Sequence, residues 1–208
     1  MTTAVTEGHV LHWARLYDWG TRLFGRPVRA LHRRVIDRAN ITPGTRVLDV
    51  GCGPGRLALA AAQRAGPTGE TLGIDPSPEM VALATRNAAR AGSSAQFRVA
   101  TIEALPAAND HFDVVLATLM LHHLTPDLQR RGLAEIRRIL RSGGRFVAAD
   151  FGATPGHGLG HLLSVLGVRR GSEHAQYLAS IIADAGLERI EIEPTESRAF
   201  CIILARKP

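Results

Sequence analysis

Aromatic side chains are scarce in this 208-residue chain, at 5% of all residues. With 45% of residues hydrophobic, the core has to be built from aliphatic side chains and alanine, and the chain is long enough to bury one sizeable core. Cysteine is nearly absent. Cys52 and Cys201 are the only two, which excludes a disulfide framework and a cysteine-built metal centre and suits a reducing, cytoplasmic setting. No apolar run reaches the roughly 18 residues of a membrane-spanning helix. Residues 1–8 carry no apolar segment, so no secretory signal is expected. Acidic residues are the minority charge, 19 against 25 basic, and the net charge of +6 comes from arginine. That excess permits an anionic partner, such as membrane headgroups, without specifying one. There is no internal repeat and no low-complexity tract.

What is present centres on Val47-Leu48-Asp49-Val50-Gly51-Cys52-Gly53-Pro54-Gly55. The apolar run 47–50 reads as a buried parallel strand. Three glycines follow at alternate positions, and a helical pattern begins at Arg56. A strand, a glycine turn and a helix form the unit that binds nucleotides at the carboxyl end of a parallel sheet. There the missing Cβ lets backbone approach a ligand, and the helix start offers unbonded N–H groups. A dinucleotide fingerprint needs G-x-G-x-x-G. Here the third glycine falls one place early, at Gly55, and Arg56 occupies the fingerprint position.

Led by Asp49 within the strand, this G-x-G-x-G pattern resembles the first motif of class I S-adenosylmethionine-dependent methyltransferases. In that family the turn cradles the methionine end of the cofactor, which implies such a role for Asp49, Gly51, Cys52, Gly53 and Gly55. Further segments resemble the family in register. Residues 72–74 form a short second strand ending in Asp75, 20 residues beyond Gly55, where a carboxylate can accept both ribose hydroxyls of an adenosine. Asp75, Pro76, Ser77 and Met80 match the second motif, in which the methionine packs near adenine. Ser77 suits a helix N-cap, Pro78 the first helical position and Glu79 the positive end of the helix. The segment after a third strand at 95–99 resembles the one that meets the adenine ring. This assigns Thr101 and Ile102 to the cofactor, with Thr101 standing where an acid is usual and Glu103 expected in solvent. The fourth strand ends at Thr118, where the family's strand tip meets the transferred methyl group.

Before the first strand, residues 9–19 and 28–39 carry apolar positions at helical spacing, the second set decorated by arginines. Trp13 to Asp18 resembles the entry segment of methyltransferases acting on quinone precursors and phospholipids, which places Tyr17 near the cofactor. After the fourth strand, Thr125 caps a helix, and residues 142–145 turn into a fifth strand at 146–150. A glycine-rich stretch at 151–171 follows, in the place where this family walls its acceptor pocket. Ser172 is expected to cap a last helix. Residues 187–193 and 199–204 then read as a terminal hairpin.

Methyl transfer from a sulfonium needs alignment and exclusion of water; a base is needed only if the acceptor enters protonated. The base candidates at a strand tip are His122 and His123, histidine being the side chain that titrates near neutrality. His157, His161 and His174 are further candidates for the pocket wall. His157 and His161 have a helical metal-binding spacing, but without a third ligand no metal centre is expected.

The expected fold is therefore α/β: a three-layer, Rossmann-like, doubly wound sheet of seven strands with a terminal antiparallel hairpin, plus N-terminal lid helices. Residues 1–40 form the lid, 41–208 the cofactor-binding methyltransferase domain, and 151–171 the variable acceptor segment. The expected function is S-adenosylmethionine-dependent methyl transfer to a small-molecule or lipid acceptor by in-line displacement. The expected location is cytoplasmic, with peripheral membrane contact open. A nucleic-acid acceptor is not expected, because the chain lacks an Asn/Asp-Pro-Pro-aromatic motif. A nicotinamide-dependent dehydrogenase, which would use Asp75 in the same way, and a non-catalytic nucleotide-binding regulatory domain remain as alternatives.

Overall fold

The computed structural model describes residues 25–152, 171–195 and 199–208. Tyr17, His157, His161 and the helix expected at 9–19 lie outside them. The described elements in chain order are α1 (Gly25–Ala39), β1 (Arg46–Val50), α2 (Arg56–Ala65), β2 (Glu70–Asp75), α3 (Pro78–Ala91), β3 (Gln96–Val99), β4 (Phe112–Thr118), a single 3-10 turn (Leu121–His123), α4 (Pro126–Ile139), β5 (Leu140–Phe151), α5 (Gly171–Asp184), β6 (Glu188–Pro194) and β7 (Phe200–Arg206). The seven strands form one sheet in the order β3-β2-β1-β4-β5-β7-β6. The first five run parallel, and β7 runs antiparallel to both β5 and β6. The strand order reverses between β1 and β4, the position where an open parallel sheet leaves a crevice beyond its carboxyl ends.

Strand alternation divides the core in two. Leu48, Val50, Val115, Ala117, Phe146 and Ala148 pack on one face with Leu133 and Ile136 of α4 and Leu178 and Ile182 of α5. Val47, Val114, Leu116, Val147 and Ala149 pack on the other face with Leu31 and Val35 of α1 and Leu57 and Ala61 of α2. This parity decides where the polar residues at the strand ends point. Asp49 and Thr118 share the α1–α2 face, whereas Asp150 shares the α4–α5 face.

Local signals behave as their chemistry dictates. Ser77 caps α3 by accepting from the Met80 N–H, and Thr125 caps α4 by accepting from the Leu128 N–H. Several expected boundaries are corrected. β2 starts at Glu70, not at residue 72. β5 starts at Leu140, not at residue 146, because Leu140 already pairs with Phe112 before an irregularity in the register. The 142–145 turn is thus a bulge within the strand, with the Gly143 N–H donating to the Lys207 carbonyl at 2.9 Å and the Lys207 N–H to that of Gly144 at 3.0 Å. α5 already includes Gly171, so Ser172 is not its cap. Glu103 is not in solvent: it is half-buried, and its Oε2 is buried with no hydrogen-bond partner. Among the described residues no helix is long and apolar enough to cross a membrane.

Candidate active site

The glycine turn leaves β1 with the Cys52 N–H donating to the Ile74 carbonyl and the Gly55 N–H to that of Cys52, both at 2.9 Å. Gly53 has φ of 50°, and a Cβ built on it would meet nothing within 4 Å, so its Cα opens onto free space. Gly55 differs. At φ 80°, its Cβ would fall 2.7 Å from the Phe97 ring and 2.9 Å from Ala84. Its side-chain direction faces the packing of α2 on α3 and β3, so its missing Cβ serves the fold.

Asp75 is 9% exposed and organises this turn. One oxygen accepts the Gly53 N–H and the other the Ser77 N–H, each at 2.9 Å. Burial raises its pKa above the ordinary carboxylate value, and these two backbone donors pull it back. The tip of β2 is therefore tied to the glycine turn and to the start of α3, whose Met80 is buried.

A concave space beside the turn is lined by Asp49, Gly51, Gly53, Thr118 and, from α1, Val28 and His32. Asp49 is 2% exposed, and its Oδ2 has no hydrogen-bond partner. Burial pushes its carboxyl up to about 8; the Ala58 backbone N–H opposes this and the Asp75 charge adds to it. The Thr118 Oγ1 is also buried without a partner. Burial, followed by the Arg56 guanidinium, presses the His32 imidazole down to about 4. Sequence reasoning missed His32: an isolated histidine in an amphipathic helix carries no signal until the helix is packed. Cys52 also lines this space, and burial drives its thiol pKa far up, so it is an inert wall.

Thr101 is half-buried in the loop two residues beyond β3. The Ile102 side chain is committed to α4, since a Cβ on Gly132 would sit 2.5 Å from Ile102 Cγ1. Pro76 is half-buried between Asp75 and Ser77.

The second cluster lies beyond the carboxyl ends of β4 and β5. The 119–123 segment adjoins the glycine turn, as a Cβ on Gly51 would meet Met120 Cβ at 2.9 Å. Two residues on, His122 Nδ1 lies 2.7 Å from Asp150 Oδ1, and the His122 backbone N–H donates to Asp150 Oδ2 at 3.2 Å. Asp150 is 0% exposed. It also accepts the Phe151 N–H at 2.8 Å, and His174 Nε2 of α5 stands 4.0 Å from its Oδ1. His123 is exposed, with its ring centroid 3.9 Å from that of His122. The structure thus separates two histidines that the sequence left equivalent. It also adds Asp150, whose only signal was its place at the end of a strand.

Residues 47–144 match the family described as a methyltransferase domain. The chain is 33% identical over 162 residues to an arsenite methyltransferase of Halobacterium salinarum, an alignment covering 76% of this chain and 41% of that protein. It is 30% identical over 178 residues to a ubiquinone/menaquinone biosynthesis C-methyltransferase of Bordetella parapertussis, covering 75% of this chain and 68% of that one. Several curated relatives are longer, and the chain spans about half of their length or less. Among solved structures, a SAM-dependent methyltransferase from Aquifex aeolicus shares the fold with a TM-score of 0.69 at 19% identity, covering 84% of this chain and 88% of that one.

Proposed function

The chain belongs to the class I S-adenosylmethionine-dependent methyltransferases, and on that premise we propose that it transfers a methyl group to a small-molecule acceptor. The observation that carries this reading is the pair of buried polar atoms without partners, Asp49 Oδ2 and Thr118 Oγ1, on the wall of the open space beside Gly53. A buried polar atom with no hydrogen-bond partner is costly unless a ligand supplies one. The residues fit this cofactor. Asp49 would take its ammonium group, and Asp75, whose oxygens keep lone pairs beyond the two backbone donors, would take the ribose hydroxyls. Gly51 and Gly53 would let its methionine end lie against backbone, with Cys52 as an inert wall. Gly55 would act indirectly, by seating α2. Pro76, Met80, Thr101 and Ile102 would form the adenine end. Tyr17, with the rest of 1–40, would cover the site, and 151–171 would wall the acceptor.

When bound, S-adenosylmethionine supplies an electrophilic methyl group whose transfer leaves a neutral thioether. The chain's own part is to orient, to exclude water and to manage a proton. His122 is the side chain suited to the last task. A nicotinamide enzyme is set aside by the family and by the position of Gly55.

The finer acceptor class we propose is lipid-soluble. α1 turns Arg29 and Arg33 outward, a surface suited to anionic headgroups. Incubation with methyl-labelled S-adenosylmethionine and cell extract, followed by phase separation, tests both levels. Label in the organic phase supports the lipid-soluble class. Label in the aqueous phase rejects it and keeps the methyltransferase. Cofactor binding without label in either phase points to a non-catalytic domain.

A further inference from the structure

His122 comes from the turn after β4 and Asp150 from the end of β5, and Asp150 lies on the opposite face of the sheet from Asp49. Three nitrogen atoms converge on the Asp150 carboxylate: His122 Nδ1 at 2.7 Å, and the His122 and Phe151 backbone N–H groups, which donate at 3.2 Å and 2.8 Å. Both oxygens accept a backbone donor, so the carboxylate meets the His122 ring as a hydrogen-bond acceptor. An acceptor-only group facing Nδ1 requires the hydrogen to sit on Nδ1. That leaves Nε2 as the basic atom.

The turn that carries His122 is braced a second time. Tyr177 Oη donates to Gln129 Oε1 at 2.9 Å, and Gln129 Nε2 donates to the Leu121 carbonyl at 2.8 Å. Gln129 is 4% exposed. His174 and Tyr177, three residues apart and so on one side of α5, therefore reach toward the same turn by two routes. A solvated loop histidine has no such support, whereas a group that must present one nitrogen in one direction requires it.

We propose that Asp150 is the positioning residue for a His122 base, and that the acceptor consequently belongs to the class that loses a proton from the atom methylated, a phenolic or enolic group. This rests on the methyltransferase reading above. The acceptor's bond to hydrogen breaks and its proton passes to His122 Nε2. The methyl group forms its new bond to the acceptor, and the electron pair of the broken carbon–sulfur bond stays on sulfur. The imidazolium formed is held against Asp150 until solvent takes the proton. Among the described residues, the other titratable groups around this pair are His123 on the same turn, His174 on α5 and, across the β5–β7 pairing, Cys201. Burial, followed by the Asp150 charge, pushes the Cys201 thiol up to about 11, so it stays protonated near neutrality.

The test uses the whole chain. Long-range proton–nitrogen spectra of the histidine rings, with the His122 signals assigned by their loss in His122→Gln, should show Nδ1–H in the wild type and a redistributed tautomer in Asp150→Asn. An Nε2–H tautomer in the wild type overturns the proposal without any variant having to fold. In parallel, turnover is measured with 1,4-naphthalenediol, a phenolic probe, and with dimethyl sulfide, a thioether whose sulfur carries no proton. Asp150→Asn and His122→Gln should each lower kcat on the phenol by at least ~100-fold, with S-adenosylhomocysteine affinity by calorimetry within about twofold. Wild-type turnover of the thioether alone, or an unchanged kcat in Asp150→Asn, overturns the proposal. Absence of S-adenosylhomocysteine binding in the wild type would instead sink the methyltransferase reading, and the acceptor class with it. The tautomer still decides the role of Asp150.

Discussion

The two halves of the crevice are built on different plans. On the α1–α2 face, the glycine turn, Asp49 and Asp75 lie within one stretch of 27 residues, and backbone geometry does most of the work: left-handed glycines, two N–H donors on Asp75 and a helix start. On the α4–α5 face, His122, Asp150 and His174 come from three separate segments, and side-chain contacts through a buried carboxylate do the work. A site made of backbone leaves a spacing in the sequence. A site made by side chains meeting across strands leaves only single residues.

The largest expected effect comes from setting Gly53 against Gly55. Gly53→Val places atoms in the open space beside the turn and should lower S-adenosylhomocysteine affinity by ~100-fold or more, with a strain cost of about 1–2 kcal/mol at its positive φ. Gly55→Val should do the reverse: overlap with Phe97 and Ala84 should cost about 2–4 kcal/mol in denaturant unfolding. Equal effects of the two on binding and stability would erase the distinction drawn between them.

Next comes Asp75→Ala, expected to weaken cofactor binding by about 1–3 kcal/mol through lost ribose hydrogen bonds. It also leaves the Gly53 and Ser77 N–H groups without their acceptor. Unchanged affinity in calorimetry would remove Asp75 from the site.

A smaller, graded effect follows from Asp49. Its carboxyl sits at about 8 in the folded protein, above the ordinary value of 3.8, so it is largely protonated at neutral pH. Binding an ammonium favours the ionised form and releases that proton. Affinity should therefore rise with pH, by up to about tenfold per unit below the folded pKa, and flatten above it. In the absence of ligand the same shift makes folding stability fall as pH rises from about 4 to about 8, because the native state holds the extra proton. Calorimetry in buffers of different ionisation enthalpy measures the release, and Asp49→Asn should abolish it.

The smallest effect is expected from His123→Ala. The ring is exposed, so turnover should change by less than about twofold, whereas His122→Ala should lose at least ~100-fold. Equal losses would show that the stacked pair acts as one unit.

Much of this was legible in the chain. The individual strands and the terminal hairpin follow from apolar runs and punctuation, because buried strands need them, whereas their joining in one seven-stranded sheet was implied by the family resemblance. The caps at Ser77 and Thr125 follow from their hydroxyls. Strand boundaries were less legible. The start of β5 at Leu140 depends on pairing with Phe112 and on the Lys207 backbone, neither of which is local. Glu103 was assigned to solvent from its place two positions beyond Thr101, and packing half-buries it.

By itself, then, the sequence determined the fold class and the family and pointed to the glycine turn, since backbone at positive φ at the alternate positions 51, 53 and 55 is most readily written with glycine. Tertiary structure decided which histidine is held, by which carboxylate and on which face of the sheet. That outcome depends on the parity of Asp150 along β5 and on the packing of α5, which bring together residues up to 52 positions apart, and no local spacing encodes such a meeting.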